Sequence, residues 1–320
     1  MAYLTQKRCV GFKLEASPYT RPQADLQQAD YNFKAFNVGY STEIEEAKRQ
    51  YSLGSFMALS SILGKRSGTV SFSIDLGYSG TAITPPEFGK ILKACGFAET
   101  IGLAGITYIP KSSLSAIPAM IEVAELSEEN PEKQLVIQLR GAMGNVKFTL
   151  DSVGKPVRAD FEFKGVLQGI KDRATAILPA GYDATSAEAV LGAVVTAFDE
   201  ALDLEKIEID LGNTVELFVD PAASEGYSGA HIVGRAPTVS LDPYMGSISQ
   251  RPIWGRMTAN TTGVFEMNIG ENMAFDIPAL QVVKGYDGSE RTGAVVNNLS
   301  CIVTKGTVYD LRLLHGAEEA

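Results

Sequence analysis

The chain has 320 residues, 45% of them hydrophobic and 21% charged, with a formal net charge of −10. Those proportions exclude wholesale disorder, and the acidic excess excludes sequence-specific DNA binding, which relies on Lys and Arg to neutralise phosphates. The longest apolar stretch, Ala189 to Phe198, is too short to span a bilayer about 30 Å thick, so the chain reads as soluble, with no membrane insertion.

In chain order, Met1 to Arg8 lacks an apolar signal core and carries no mark for secretion. Thr42 to Ser61 mixes charges of both signs with aromatic residues and reads as a long loop. Thr69 to Leu76 alternates apolar and polar side chains, the pattern of a half-buried strand. The best helix is Pro85 to Cys95, with Thr84 as N-cap, proline in the first turn and Gly96 closing it. A second helix is expected over Ser113 to Ala124, weakened by Pro118. Leu135–Leu139, Val146–Leu150 and Ala159–Phe163 alternate again and are expected as three strands.

Proline and glycine in Leu178 to Asp183 break the pattern. The domains are therefore read as 1–178 and 186–320, with a linker over 179–185. Residues 187 to 203 begin like a helix, but Val190, Val194, Val195 and Thr196 favour strand. Lys206–Leu211 and Val215–Val219 follow as strands joined by the turn Gly212-Asn213-Thr214, and Gly263–Ile269 is another strand. The fold class is mainly β: two tandem β-sandwich or partial-barrel domains, each with at most one short helix.

An internal echo supports two domains. Ile62-Leu63-Gly64-Lys65-Arg66-Ser67-Gly68-Thr69-Val70-Ser71 is answered by Ile232-Val233-Gly234-Arg235-Ala236-Pro237-Thr238-Val239-Ser240. Each copy is followed by a second shared landmark, Phe161 to Val166 in one half and Ile302 to Gly306 in the other. Two landmarks in the same order point to duplication.

Signs of catalytic chemistry are sparse. Only two histidines exist, His231 and His315, and no Walker loop, dinucleotide fingerprint or zinc-type cysteine pair is present, so no cofactor, metal or catalytic residue is expected. Cys9, Cys95 and Cys301 lie far apart and read as small buried hydrophobes in a reducing compartment. Asp160 with Glu162, and Glu208 with Asp210, share strand faces as a glycosidase pair would, although such pairs also arise by chance in an acidic chain. Residues 161–320 carry 22 acids against 11 bases, and nine acids between Asp199 and Glu225 face one base, Lys206. That cluster is either a solubilising face or a surface that repels a polyanion.

The run Leu63 to Leu76, then Pro85-Pro86-Glu87-Phe88-Gly89-Lys90-Ile91-Leu92-Lys93-Ala94-Cys95-Gly96-Phe97, then Gly154 to Gly165, resembles the major tail tube proteins of long, non-contractile bacteriophage tails. In the second half, Glu205 to Val219, Gly234 to Thr238 and Glu271 to Gln281 also resemble segments of phage tail proteins. The resemblance implies a non-enzymatic virion protein with a duplicated tube domain. Such a protein polymerises with itself into stacked rings that form a hollow tail tube for DNA passage. A typical family member supplies one domain and six copies close a ring, so two domains in one chain imply rings of three. The implied partners are other copies and further tail proteins such as tape measure, initiator and terminator, with DNA passing through unbound. The implied location is the virion tail, assembled in the bacterial host cytoplasm.

Within that reading, Glu43, Glu45, Glu46, Lys48, Arg49, Tyr51, Phe56 and Met57 are the candidate ring-stacking residues. Asp199, Glu200, Asp203, Glu205, Glu208 and Asp210 are the candidate lumen acids, which would keep DNA phosphates from sticking. The alternatives are a carbohydrate-binding β-sandwich or receptor-binding tail component, for which Trp254 and scattered tyrosines give little sign, and a carboxylate hydrolase.

Overall fold

The computed structural model describes residues 3–16, 19, 26–47, 60–111, 116–127, 133–179, 186–187, 189–249, 251–269 and 272–316. The first half contains strands β1 (Tyr3–Leu14), β2 (Phe36–Ala47), β3 (Ile62–Asp75), β4 (Gly77–Tyr78), β5 (Phe97–Ile101), β6 (Gly105–Pro110), β7 (Ala119–Ser127), β8 (Gln134–Leu150) and β9 (Arg158–Arg173), with helix α1 (Glu87–Ala94) between β4 and β5. Alternation drives most of these: in β3, Val70, Phe72 and Ile74 turn inward, and Phe72 stacks on Phe161 and Phe163 of β9 at 5.5 and 5.9 Å.

Three expectations are corrected here. The two strands expected over 135–139 and 146–150 are one strand, β8, whose pairing with β9 is irregular between Gln138 and Leu139 and again between Arg140 and Met143. Such irregularities shift the alternation phase, so the period is lost midway through the strand. The helix expected to reach Ala124 is strand β7 from Ala119 on. Residues Ala119 to Glu125 are all buried, so the apolar run carries no period that separates strand from helix. Helix α1 starts after Pro86, which takes the N-cap place given to Thr84, because a residue before proline is held extended.

The second half contains β10 (Ser186–Ala187), β11 (Val195–Ala197), β12 (Glu200–Ala201), β13 (Ile207–Asp210), β14 (Asn213–Val219), β15 (Tyr227–Arg235), β16 (Thr238–Leu241), β17 (Thr262–Ile269), β18 (Met273–Arg291), β19 (Ala294–Val303) and β20 (Arg312–Gly316), with helix α2 (Ile253–Ala259) before β17. The strand expected over 187–203 is broken into short pieces, because Phe198 and Asp199 adopt φ of 59° and 65° and turn the chain between β11 and β12. Helix α2 escapes sequence reading: it is seven residues long, only Ile253 is buried, and Asn260 in the left-handed region ends it.

All pairings are antiparallel, and the two halves repeat one connectivity. In the first, neighbours run β1-β7-β8-β9-β3-β2; in the second, β11-β17-β18-β19-β16-β13. Strands fall in the same chain order in both series, and α1 and α2 occupy the same place in that order. The two Thr-Val-Ser echoes lie on β3 and β16, each paired with the strand that carries or leads into the second landmark, β9 or β19.

Three strand pairings join the halves among the described residues. Asp210 to Ile207 of β13 pair with Lys147 to Leu150 of β8, β20 inserts between β18 and β6, and Ser186 and Ala187 of β10 pair with Tyr78 and Gly77 of β4. One continuous path therefore runs β12-β11-β17-β18-β19-β16-β13-β8-β9-β3-β2, and past Gln281, where the pairing of β17 with β18 ends, its eight strands from β18 to β2 continue alone. Its inner face shares a core that reaches from Phe12 and Phe163 in the first half to Phe265 and Phe275 in the second.

Candidate functional site

The eight-strand path presents a polar face and an unpaired edge. Directly opposed residues on antiparallel strands point to the same side. One row across the sheet reads Ser73, Asp160, Lys147, Asp210, Thr238, Ile302, Gln281. The next reads Asp75, Arg158, Thr149, Glu208, Ser240, Ser300, Lys284. A shorter row holds Gly39, Ser71, Glu162 and Asn145. Phe161, Phe163, Val146, Phe148, Ile207 and Ile209 take the intervening positions and are buried, so the rows form the side away from the core.

Charges on this face are interleaved. Lys147 lies 2.7 Å from Glu208, Arg158 lies 2.9 Å from Asp160 and 2.8 Å from Asp151, and Asn145 donates to Asp210 at 2.8 Å. Such half-exposed pairs contribute little stability each; with Lys164 on the same side of β9 as Asp160 and Glu162, the described face is a hydrated surface of both signs.

The six candidate lumen acids separate. Glu208 and Asp210 stand on the polar face, on β13. Asp199 and Glu200 sit at the β11–β12 turn, Glu200 3.4 Å from Arg256. Asp203 and Glu205 lie in the connection to β13, where Glu205 accepts from Ser152 at 3.1 Å and lies 3.6 Å from Arg291. Asp160 and Glu162 join Glu208 and Asp210 on the face; their alternation with Phe161 and Phe163 was the available signal.

Of the candidate stacking residues, Glu43, Glu45 and Glu46 belong to strand β2, which continues through the start of the expected loop and pairs as far as Ala47 with Ile62. The pairing is irregular between Ile44 and Glu46, and Glu45 lies 3.0 Å from Lys65 on the partner strand. Lys48, Arg49, Tyr51, Phe56 and Met57 lie outside the described residues. Among the described residues strand β2 pairs with β3 alone, and its residues Tyr40 to Ala47 are exposed on both faces.

The hairpin β14–β15 behaves differently. It lies over β8, where Arg140, 2% exposed, meets Glu225 at 3.0 Å. The amide of Arg66 donates to the Glu225 carbonyl at 3.0 Å, and the Tyr19 hydroxyl donates to the Ala230 carbonyl at 3.0 Å. His231 is stacked by Tyr19 and Phe218, and burial lowers its pKa. Beside it, burial raises the carboxyl of Glu15, opposed by hydrogen bonds from the amides of Gly141 and Tyr19, and burial together with Glu15 pushes the Tyr19 hydroxyl up to about 12. Glu225, read from sequence as part of an acidic surface cluster, is thus the counter-ion of a buried arginine.

A mainly antiparallel chain with a polar sheet face, an open strand edge and interleaved charge has the features of a β-structural assembly protein. The chain matches the phage tail tube protein family over residues 5–297 and belongs to that family. A comparison with curated proteins finds no match. Family membership makes it a structural component of the virion tail that assembles into a tube.

Proposed function

We propose that three copies of the chain close each ring of the tail tube, that the two connectivity repeats are duplicated tube domains joined at 179–185, and that the polar sheet face lines the bore through which DNA passes. The observation that carries this reading is the unbroken eight-strand path with its two matching halves. A barrel of eight strands is filled by its own side chains, whereas sixteen or more leave an aqueous channel. One chain alone therefore makes no bore, and several copies contributing eight strands each do. Interleaved acids and bases on that face, led by Asp160, Glu162, Glu208 and Asp210, leave no basic stripe on which phosphates would collect. The segment between β2 and β3 makes the contact with the adjacent ring, and the protein carries no catalysis of its own. Assembly takes place in the host cytoplasm with the tape measure, initiator and terminator proteins. Averaged electron micrographs of tubes test this: three chains per ring support the reading, and six chains per ring refute it.

A further inference from the structure

We propose that neighbouring chains in a ring join by strand addition: the free edge of β2 in one copy pairs antiparallel with the C-terminal half of β18 in the next, with Ser41 opposite Asp287 and Gly39 opposite Ser289. The proposal rests on the ring reading above and adds which surfaces meet and in what register.

The seam already present inside the chain is the pattern for this contact. Strand β13 stands to β16 as β2 stands to β3 in the repeated connectivity. Strand β13 has a second neighbour, the end of β8, whereas β2 has no second strand among the described residues, where the Arg8 guanidinium donates to its Val38 carbonyl at 2.5 Å. The acceptor strands correspond too. Strands β8 and β18 each give the first part of one edge to the strand before them, β7 up to Ala142 and β17 up to Gln281. On β8 the rest of that edge is filled by β13; on β18 it has no strand partner among the described residues.

Register follows from the pairings. Ser41 faces Thr69 and Asp210 faces Thr238, the same position in the two echoes, so Ser41 corresponds to Asp210 and Gly39 to Glu208. On the acceptor side, Thr149 faces Arg158, which faces Asp75, six residues beyond Thr69. Six residues beyond Thr238 is Tyr244, bridged to Val296, which faces Ser289. Thr149 therefore corresponds to Ser289, and by the same steps Lys147 to Asp287. The internal pairs Asp210–Lys147 and Glu208–Thr149 become Ser41–Asp287 and Gly39–Ser289 between chains.

Burial agrees. Val146, Phe148 and Leu150, beneath the filled seam, are at most 2% exposed. On β18 and beside it, Val283, Tyr286, Val295 and Trp254 are 38% to 59% exposed, and on β2 Tyr40 and Ile44 are 37% and 44% exposed. A long unpaired edge flanked by apolar side chains is a template for another strand.

The test uses full-length protein carrying Ser41→Cys and Asp287→Cys in a Cys9→Ser background, assembled into tubes and mildly oxidised. Opposed Cβ atoms in an antiparallel pair lie about 4.5–5.5 Å apart, near the reach of a disulfide. The expected result is covalent multimers stopping at three chains on a non-reducing gel, absent from either single variant. Tubes without multimers, or multimers in a single variant, overturn the edge pairing and leave the tube reading intact. Wild-type tubes with six chains per ring sink the ring reading itself. If the double variant does not assemble, Ser41→Cys carrying a photo-cross-linker reads the same contact in tubes: attachment within Gly285–Arg291 of another copy supports the pairing, and attachment elsewhere overturns it.

Discussion

Glu122 is fully buried, yet it accepts hydrogen bonds from Tyr31, from Gln138 at 2.6 Å and from Arg173 at 2.7 Å. This network ties β7, β8 and β9 to the segment before β2. Removing one partner of a buried ion pair leaves an uncompensated charge, at a cost of about 3–5 kcal/mol. Arg173→Ala should therefore lower the urea midpoint steeply; a change below about 1 kcal/mol would show that water reaches Glu122. The two histidines set a pH response. Burial lowers the pKa of His231 and His315 from 6.5, and the Nε2 of His315 accepts from the Ser79 amide at 3.2 Å. As pH falls below about 6.5 the unfolded chain takes up protons that the folded chain refuses, so stability is lost on that side. Urea midpoints should drop between about pH 7.5 and 5.5, and His231→Gln with His315→Gln should flatten that slope. The raised Glu15 acts with the opposite sign, losing stability as pH rises through its folded value.

At the scale of elements, the turn from β13 into β14 depends on Gly212, whose φ is 62° and whose added Cβ would lie 2.2 Å from the Ala236 carbonyl oxygen. Gly212→Ala should cost about 1–3 kcal/mol through overpacking and the left-handed backbone, measured by thermal unfolding. Deleting residues 48–59, beyond the last paired rung of β2 and β3, should leave the fold intact and abolish stacking of rings in micrographs; unimpaired tubes would contradict the stacking role. Sequence pattern revealed β3, β9, β13, β17 and α1, because each has one wet and one dry face or a proline–glycine frame, and β14, whose apolar Val215 and Leu217 are half-buried between exposed neighbours. It missed where both faces are dry, as in β7, where bulges reset the phase, as in β8, and where a helix is short and barely buried, as in α2. The polar face was legible only in pieces. Glu208 and Asp210 stood out through an acidic run, but that run also contains Glu225, committed to Arg140, and the rows assemble only through pairings distant in sequence.

At the scale of the molecule, the two halves repeat one connectivity and meet at the internal β13–β8 seam, the arrangement on which the proposed ring rests. Bore charge then becomes a testable property. Glu162→Lys with Glu208→Lys replaces acids on the polar face, where exposed changes shift stability by only about ±0.5 kcal/mol. DNA release from virions carrying the pair should slow, and more so at low salt, where phosphate contacts are strongest. Release at the normal rate in low salt would place these residues away from the DNA path. The most direct test of the central claim is a helical reconstruction of the assembled tube at side-chain resolution. The account predicts three chains per ring, a continuous β-lined bore, and Asp160, Glu162, Glu208 and Asp210 facing it. A tube with these four acids on its outer wall, or rings of six chains, would contradict it.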